Sequence, residues 1–276
     1  MLTPFTKMHG LGNDFVVVDN RSGHLPLSPE TARRLADRRE GVGFDQMLVI
    51  ETPTMAQADV AFRIFNADGG EVEHCGNGAR CVAAYVRAHE FTDVNPLTMQ
   101  LPTRHVTART LPDGDVSIDM GHPAFAPAEI PFDASQQHVV YTLDLPAGAV
   151  ELGAVSMGNP HAVTLHEEID SLDLEAFAVP VQAHARFPAG VNVGAMRIID
   201  RQNLQLRVYE RGVGETQACG TGACAAMAVA RTWGLVDADV NVRLRGGTLR
   251  ISWRGVGHPL WMTGPAAFVF TGEVEF

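Results

Sequence analysis

Residues 71–86 read EVEHCGNGARCVAAYV, and residues 215–229 read ETQACGTGACAAMAV. Each stretch has a glutamate, a cysteine four positions later, then G-x-G-A and an apolar run. The match widens when residues 62–79 (FRIFNADGGEVEHCGNGA) are laid over 206–223 (LRVYERGVGETQACGTGA), an offset of 144. Arg63 then falls on Arg207, Ile64 on Val208, Asn66 on Glu210, Gly70 on Gly214, Glu71 on Glu215 and Cys75 on Cys219. Beyond each cysteine the apolar phase repeats. Ala79, Val82, Ala83 and Val86 stand at i, i+3, i+4 and i+7, as do Ala223, Ala226, Met227 and Ala230. That spacing is one face of a helix. Upstream, residues 8–17 (MHGLGNDFVV) echo 155–163 (VSMGNPHAV), with Gly12-Asn13 on Gly158-Asn159, and Gly41-Val42 falls on Gly190-Val191. Echoes in constant order with slowly drifting offsets indicate two copies of one fold.

Short runs rich in β-branched and apolar residues predict strands at 15–19, 47–51, 58–65, 116–120, 162–165, 196–199, 204–210, 240–244 and 248–253. Helical phase predicts helices at 29–38, 78–89 and 222–232. The expected class is α/β of the α+β type: two pseudo-symmetric domains, each a mixed sheet around a central helix, with the active site in the cleft between them. A boundary near Gly121-His122-Pro123 gives one domain of residues 1–120 plus 265–276 and another of 121–264. The tail after Gly264-Pro265 reads as a strand able to join either half.

The 276 residues are 46% hydrophobic and 19% charged, enough for a sizeable core and too apolar for disorder. A formal net charge of -11 argues against a nucleic-acid partner, which calls for a basic footprint. Residues 1–18 lack the pattern of a secretory signal, and no apolar run reaches the length of a membrane span. The expectation is a soluble, cytoplasmic protein acting on a small molecule. Four cysteines (Cys75, Cys81, Cys219, Cys224) are too few for a disulfide scaffold, and their C-x5-C and C-x4-C spacings are not those of zinc or thioredoxin-like sites. No spacing of histidines supports a metal. The basic residues are all arginine except Lys7, which leaves little room for Schiff-base chemistry with pyridoxal phosphate.

Each C-G-x-G box follows a strand and a glycine-containing loop and opens a helix. A helix N-terminus carries roughly +0.5 charge and binds carboxylates or phosphates. The same field lowers a cysteine there below its free pKa of about 8.5. Each repeat therefore offers a reactive thiol, Cys75 or Cys219, beside an anion-binding nest. Inverting a carbon centre by proton transfer needs a base on one face and an acid on the other, and the roles swap with the hand of the substrate. Two equivalent thiols suit that chemistry without a cofactor, because both helix dipoles stabilise the carbanion. Cys81 and Cys224, inside the helices, read as small buried hydrophobes. A different class of reading is a redox switch joining Cys75 and Cys219; the chain supplies no C-x-x-C for it.

Together the motifs resemble the diaminopimelate epimerase family over nearly the whole chain. They are MHGLGNDF (8–15), GVGFDQ (41–46), FNADG (65–69), CGNGARC (75–81), SMGNPH (156–161), AGVNVG (189–194), YERGVGETQACGTGACA (209–225) and GHPLWMTGPA (257–266). The resemblance implies a cofactor-independent isomerase that interconverts LL- and meso-diaminopimelate for lysine and peptidoglycan-precursor biosynthesis. It puts the catalytic pair at Cys75 and Cys219, and the α-carboxylate on the backbone of Gly76-Asn77 and Gly220-Thr221. It gives Asn66, Asn159, Asn192 and Arg211 to the second amino-acid head, with Arg211 suited to a bidentate hold on the distal carboxylate. Asn13, Gln46 and Glu210 match further substrate contacts, and His161 and Glu210 match positions that tune the thiols. An imidazolium would favour a thiolate and a carboxylate would favour a thiol. Read without the family, Asn13 and Asn159 are turn residues, Arg211 a surface charge and His161 a hydrogen-bonded core histidine.

Three positions depart from the family pattern. Thr221 replaces a common serine, His74 a familiar glutamine, and Phe270 a tyrosine linked to dimerisation, so a homodimer is expected by resemblance. The nearest alternative is a related two-thiol racemase acting on proline or hydroxyproline. Arg211 and the asparagines disfavour it, since those substrates have no distal head.

Overall fold

The computed structural model describes residues 2–73 and 75–276. His74, whose influence on the neighbouring thiol is one of the expectations above, lies outside the described residues. The chain divides into two compact units, Met1–Asp119 with Thr263–Phe276, and Met120–Met262. In chain order the elements are β1 (Leu2–Gly10), β2 (Asn13–Asp19), α1 (Pro29–Ala36), β3 (Gln46–Glu51), β4 (Val60–Asn66), β5 (Glu71–Val72), α2 (Gly76–Ala88), β6 (Leu97–Gln100), β7 (His105–Thr110) and β8 (Val116–Asp119). There follow β9 (Tyr141–Leu145), β10 (Gly148–Ser156), β11 (Pro160–Leu165), α3 (Leu174–Gln182), β12 (Asn192–Asp200), β13 (Asn203–Glu210), β14 (Gly214–Thr216), α4 (Gly220–Thr232), β15 (Asp239–Leu244), β16 (Gly247–Trp253), β17 (Leu260–Gly264) and β18 (Ala267–Glu275).

In the first unit β1 pairs antiparallel with β2, β2 parallel with β3, β3 antiparallel with β4, and β4 parallel with β6; β6, β7 and β8 are antiparallel. In the second unit β10 pairs antiparallel with β11, β11 parallel with β12, β12 antiparallel with β13, β13 parallel with β15, and β15 antiparallel with β16. A short hairpin strand folds back on β4 as β5 and on β13 as β14. The order of parallel and antiparallel steps is shared, so the repeat in the sequence is a repeat of topology. Each parallel step contains a helix, as a crossover requires: α1 and α2 in the first unit, α3 and α4 in the second. The tail resolves to one side, because β18 pairs antiparallel with β1. In the second unit β9 pairs antiparallel with the first half of β10, Gly148–Leu152, and β11 with the second half.

Each sheet curls around one helix. α2 packs on β1, β2, β3, β7 and β8, and α4 packs on β10 to β13, β15 and β16. In α4 every residue from Gly222 to Ala230 is buried, so more than the expected apolar stripe faces the core. A helix that is apolar all round belongs inside, and its run of alanines lets strands close on every side. The other face of each sheet carries a second layer. Ala32 and Leu35 of α1 pack with Val16, Val18, Met47 and Val49, and Ala178 and Val181 of α3 with Leu143, Leu152, Val191 and Val193. α1 starts at Pro29 as expected, capped by Ser28 Oγ accepting from Thr31 N at 3.1 Å. It stops two residues short of Arg38, because Asp37 turns extended (ψ 125°).

Candidate active site

Both boxes place the cysteine at the N-cap of a buried helix. Cys75 Sγ accepts from Gly78 N at 3.4 Å, satisfying one of the amides a helix start leaves unpaired. The second glycine of each box serves packing rather than close approach of a ligand. A Cβ on Gly78 would sit 3.0 Å from Leu48 Cδ2, and one on Gly222 would sit 2.9 Å from Val208 Cγ2 and 3.2 Å from Cys219 Sγ. Only a bare backbone brings the helix start this near the sheet.

In the first unit the half-buried Cys75 is surrounded by amides. Its thiol points to Asn13 Oδ1 at 3.9 Å, and Asn77 Nδ2 donates to the same oxygen at 3.3 Å. Asn13 is held in turn by donating Nδ2 to Asp45 Oδ2 at 3.0 Å. Asp45 takes part in an ion network with Arg38, Asp14 and Lys7: Arg38 Nη2 reaches Asp14 and Asp45 at 2.7 and 2.8 Å, and Lys7 Nζ reaches Asp14 at 2.5 Å and the Gly43 carbonyl. The two cations hold the Asp14 carboxyl far below the usual carboxylate range against the burial that raises it. Lys7, set aside in the sequence, is thus structural support one layer behind Asn13. Gln46 donates Nε2 to Asn66 Oδ1 at 2.8 Å, while its own Oε1 is buried with no hydrogen-bond partner among the described residues. A buried acceptor left open beside the thiol's neighbours suits a donor brought by a ligand.

In the second unit Cys219 is 5% exposed. Burial pushes its thiol well above the ordinary value, and the Glu210 carboxylate adds to this, while the Thr221 hydroxyl and Gly222 N–H act the other way. Thr221 Oγ1 lies 3.6 Å from Cys219 Sγ, Asn159 Nδ2 donates to Thr221 Oγ1 at 3.4 Å, and His161 Nε2 lies 3.0 Å from Asn159 Oδ1. His161 is fully buried, and burial lowers it to about 3, with Arg211 adding to the effect. Burial thus favours the neutral imidazole over the imidazolium that would favour a thiolate, and the hydrogen bonds linking it to the sulfur run through Asn159 and Thr221. Glu210 accepts from Thr216 Oγ1 at 2.6 Å. The buried Asn192 spends its Oδ1 on Arg211 N at 2.8 Å, and the exposed Arg211 donates Nη1 to the Ala189 carbonyl. Gly190, at φ +68°, leaves Arg211 its path, since a Cβ there would lie 2.8 Å from Arg211 Cδ.

These residues occupy equivalent places. Phe15 faces Gln46 across β2 and β3, as His161 faces Asn192 across β11 and β12. Asn66 ends β4 as Glu210 ends β13. Cys81 and Cys224 are wholly buried, and burial pushes the Cys81 thiol up to about 12. No disulfide joins the four cysteines. Among the described residues no group of three or more His, Cys, Asp or Glu is placed to hold a metal, and no helix is long and apolar enough to cross a membrane. Phe270 lies on β18, half exposed, edge-on to Phe5 with centroids 5.9 Å apart.

The sequence reading passed over one repeated pair. Arg63 grips Glu71 with both nitrogens at 2.7 Å, tying β5 to β4, and Arg207 grips Glu215 at 2.8 and 2.9 Å, tying β14 to β13. Each bidentate fork pins the hairpin four residues ahead of its cysteine. The signal was visible, because both members recur at the same offset with the same spacing. The forks differ in depth: Arg207 and Glu215 side chains are 7% and 21% exposed, Arg63 and Glu71 36% and 35%. Arg207 Nη1 also donates to the carbonyls of Ile169 and Leu172, and Arg245 adds a second cation to Glu215 at 3.0 Å.

A family model for diaminopimelate epimerase matches residues 5–126 and 153–269. The diaminopimelate epimerase of Nitrosomonas europaea is 49% identical over 275 residues, covering 100% of both chains. That of Laribacter hongkongensis is 50% identical over 276 residues, covering 99% of each. Among solved structures, a hydroxyproline epimerase of Agrobacterium vitis superposes with a TM-score of 0.71 over 99% of this chain and 92% of its own, at 15% identity, which shows a common fold. The chain belongs to the diaminopimelate epimerase family.

Proposed function

We propose that the protein interconverts LL- and meso-2,6-diaminopimelate at one α-carbon, with Cys75 and Cys219 as the base and acid and with no cofactor. The observation that carries this is the duplicated cysteine at a helix N-cap position, in a chain about half identical over its full length to diaminopimelate epimerases. Each compact unit supplies one thiol. The α-carboxylate accepts from the backbone N–H groups of Gly76-Asn77 and Gly220-Thr221, where the helix dipoles favour negative charge. One thiolate takes the α-proton, and the C–H electron pair passes into the carboxylate-stabilised carbanion. The other thiol delivers its proton to the opposite face, so the two sulfurs end with their protonation exchanged. The buried Cys219, beside Glu210, carries the proton at rest. Asn66, Asn159, Asn192 and Arg211 hold the distal amino-acid head, and the open Gln46 Oε1 accepts from a substrate ammonium.

Incubating the reduced protein with LL-diaminopimelate and separating the stereoisomers tests this reading. Meso product is expected; its absence, with turnover of proline or hydroxyproline instead, would move the protein to the neighbouring racemase activity. We place the enzyme in the cytoplasm, where its thiols stay reduced. We read β18 as the contact of a homodimer, since Phe268, Val269 and Phe270 present exposed apolar side chains on one strand. Sedimentation of Phe270→Glu should then show monomer where the native chain shows dimer.

A further inference from the structure

His161, Asn159, Thr221 and Cys219 form one hydrogen-bonded row; its direction is set as far as the Thr221 hydroxyl, which exchanges with a neutral thiol and must donate to a thiolate. Asn159 Oδ1 can only accept, so the neutral His161 donates through Nε2 at 3.0 Å. Asn159 Nδ2 can only donate, and it meets Thr221 Oγ1 at 3.4 Å. The Thr221 hydroxyl has one proton, and Cys219 Sγ lies 3.6 Å from that oxygen. We propose that the Thr221 hydroxyl is a catalytic group: a donor aimed at Cys219 sulfur by Asn159 and His161, which stabilises the thiolate formed when Cys219 gives up its proton. This rests on Cys219 being one of the two proton-transferring thiols.

A donor is needed at this sulfur more than at the other. Cys219 is buried and faces the Glu210 carboxylate from β13, while the neutral His161 of β11 is linked to it only through Asn159 and Thr221. Among the described residues no cation touches it, so the anion depends on neutral donors. At the equivalent place in the first unit, Asn77 turns its amide to Asn13 Oδ1, and Cys75 stays half-exposed, where water can serve. The α-carboxylate needs only the backbone of residue 221, so its side chain is free for this second task.

The test compares Thr221→Val, which keeps the shape and loses the hydroxyl, with Thr221→Ser, which keeps it. Two readouts are taken: the pH profile of kcat/KM for diaminopimelate, and the rate of iodoacetamide labelling at Cys219, located by peptide mass in a Cys75→Ala background. T221V is expected to lower both rates roughly 10- to 100-fold at fixed pH, the range for a hydrogen bond to a charged group, and to move the alkaline limb of the profile, where Cys219 loses its proton, upward by about one pH unit or more. T221S is expected to stay within about threefold of the native chain. T221V behaving like the native chain, or T221S falling as far as T221V, would overturn the proposal. If T221V does not fold, T221A carries the same comparison. Should the native protein fail to turn over diaminopimelate, the functional reading falls, while the labelling of Cys219 still decides the role of the hydroxyl.

Discussion

Cys75 begins its helix among neutral amides, half-open to solvent; Cys219 begins the matching helix fully buried, beside a carboxylate and at the end of a row of neutral donors. The backbone around them is the same: a hairpin pinned by an Arg–Glu fork, an N-cap cysteine, a glycine pressed on the sheet. The difference lies in a few side chains at equivalent places. Asn66 is matched by Glu210, Phe15 by His161, Asn77 by Thr221 and Ala67 by Arg211. Duplication of a fold supplies two thiols at equivalent places, and these replacements leave one half-exposed among amides and the other buried beside a carboxylate that helps to raise its pKa. A reaction that needs one acid and one base at the start is served by that inequality.

The strongest way to break the comparison is to remove either sulfur. Despite their different surroundings, Cys75→Ala and Cys219→Ala should each lower kcat by about a thousandfold or more, the scale of general acid–base catalysis; one variant retaining near-native kcat would leave its twin working alone. The forks come next. Arg207→Ala should cost about 3 kcal/mol in urea unfolding, because it strands the Ile169 and Leu172 carbonyls and part of a buried ion cluster. Arg63→Ala at the exposed fork should cost about 0.5 kcal/mol.

A smaller effect is set by pH. His161 is neutral in the fold down to about 3, whereas unfolded it protonates near 6.5. Below 6.5 the unfolded chain therefore binds the extra proton, and stability falls as pH falls through 6.5 towards 3. His161→Phe, which copies Phe15 of the first unit, should remove about 2 kcal/mol of the stability lost between pH 6.5 and 5, read from unfolding curves at each pH. An unchanged slope would mean that His161 is charged in the fold. The comparison also shows in reactivity: at neutral pH iodoacetamide should label Cys75 about tenfold faster than Cys219. Glu210→Gln should narrow that gap, since it removes the nearby carboxylate.

The repeat carried most of the fold. Nine strand runs and three helices were legible because their apolar phase is strong, and the match of Cys75 to Cys219 fixed the register between halves. β10 was missed because its GAVELGAVS has small residues in place of an alternating pattern. α3 was missed because Pro180 argues against a helix interior, and the helix is held instead by its Asp173 cap and its packing on β12. Residues 265–276 were assigned to the first half, but the strand partner of β18 had no local signal, since pairing with β1 joins the two ends of the chain. In the site, residue types were readable and charge states were not. His161 could be named, but its neutrality depends on burial by strands distant in sequence. Lys7 and Asp14 show their pairing only once β1 and β2 lie side by side.

The account turns on whether two thiols move one α-proton, and following that proton tests it most directly. The reduced native protein and the two alanine variants are incubated with LL-diaminopimelate in D2O, with α-proton signals followed by NMR and stereoisomers separated in parallel. In the first turnovers the native chain should yield meso product carrying deuterium at a single α-carbon, and neither variant should epimerise. Exchange at both α-carbons, or epimerisation that survives the loss of either sulfur, would contradict it.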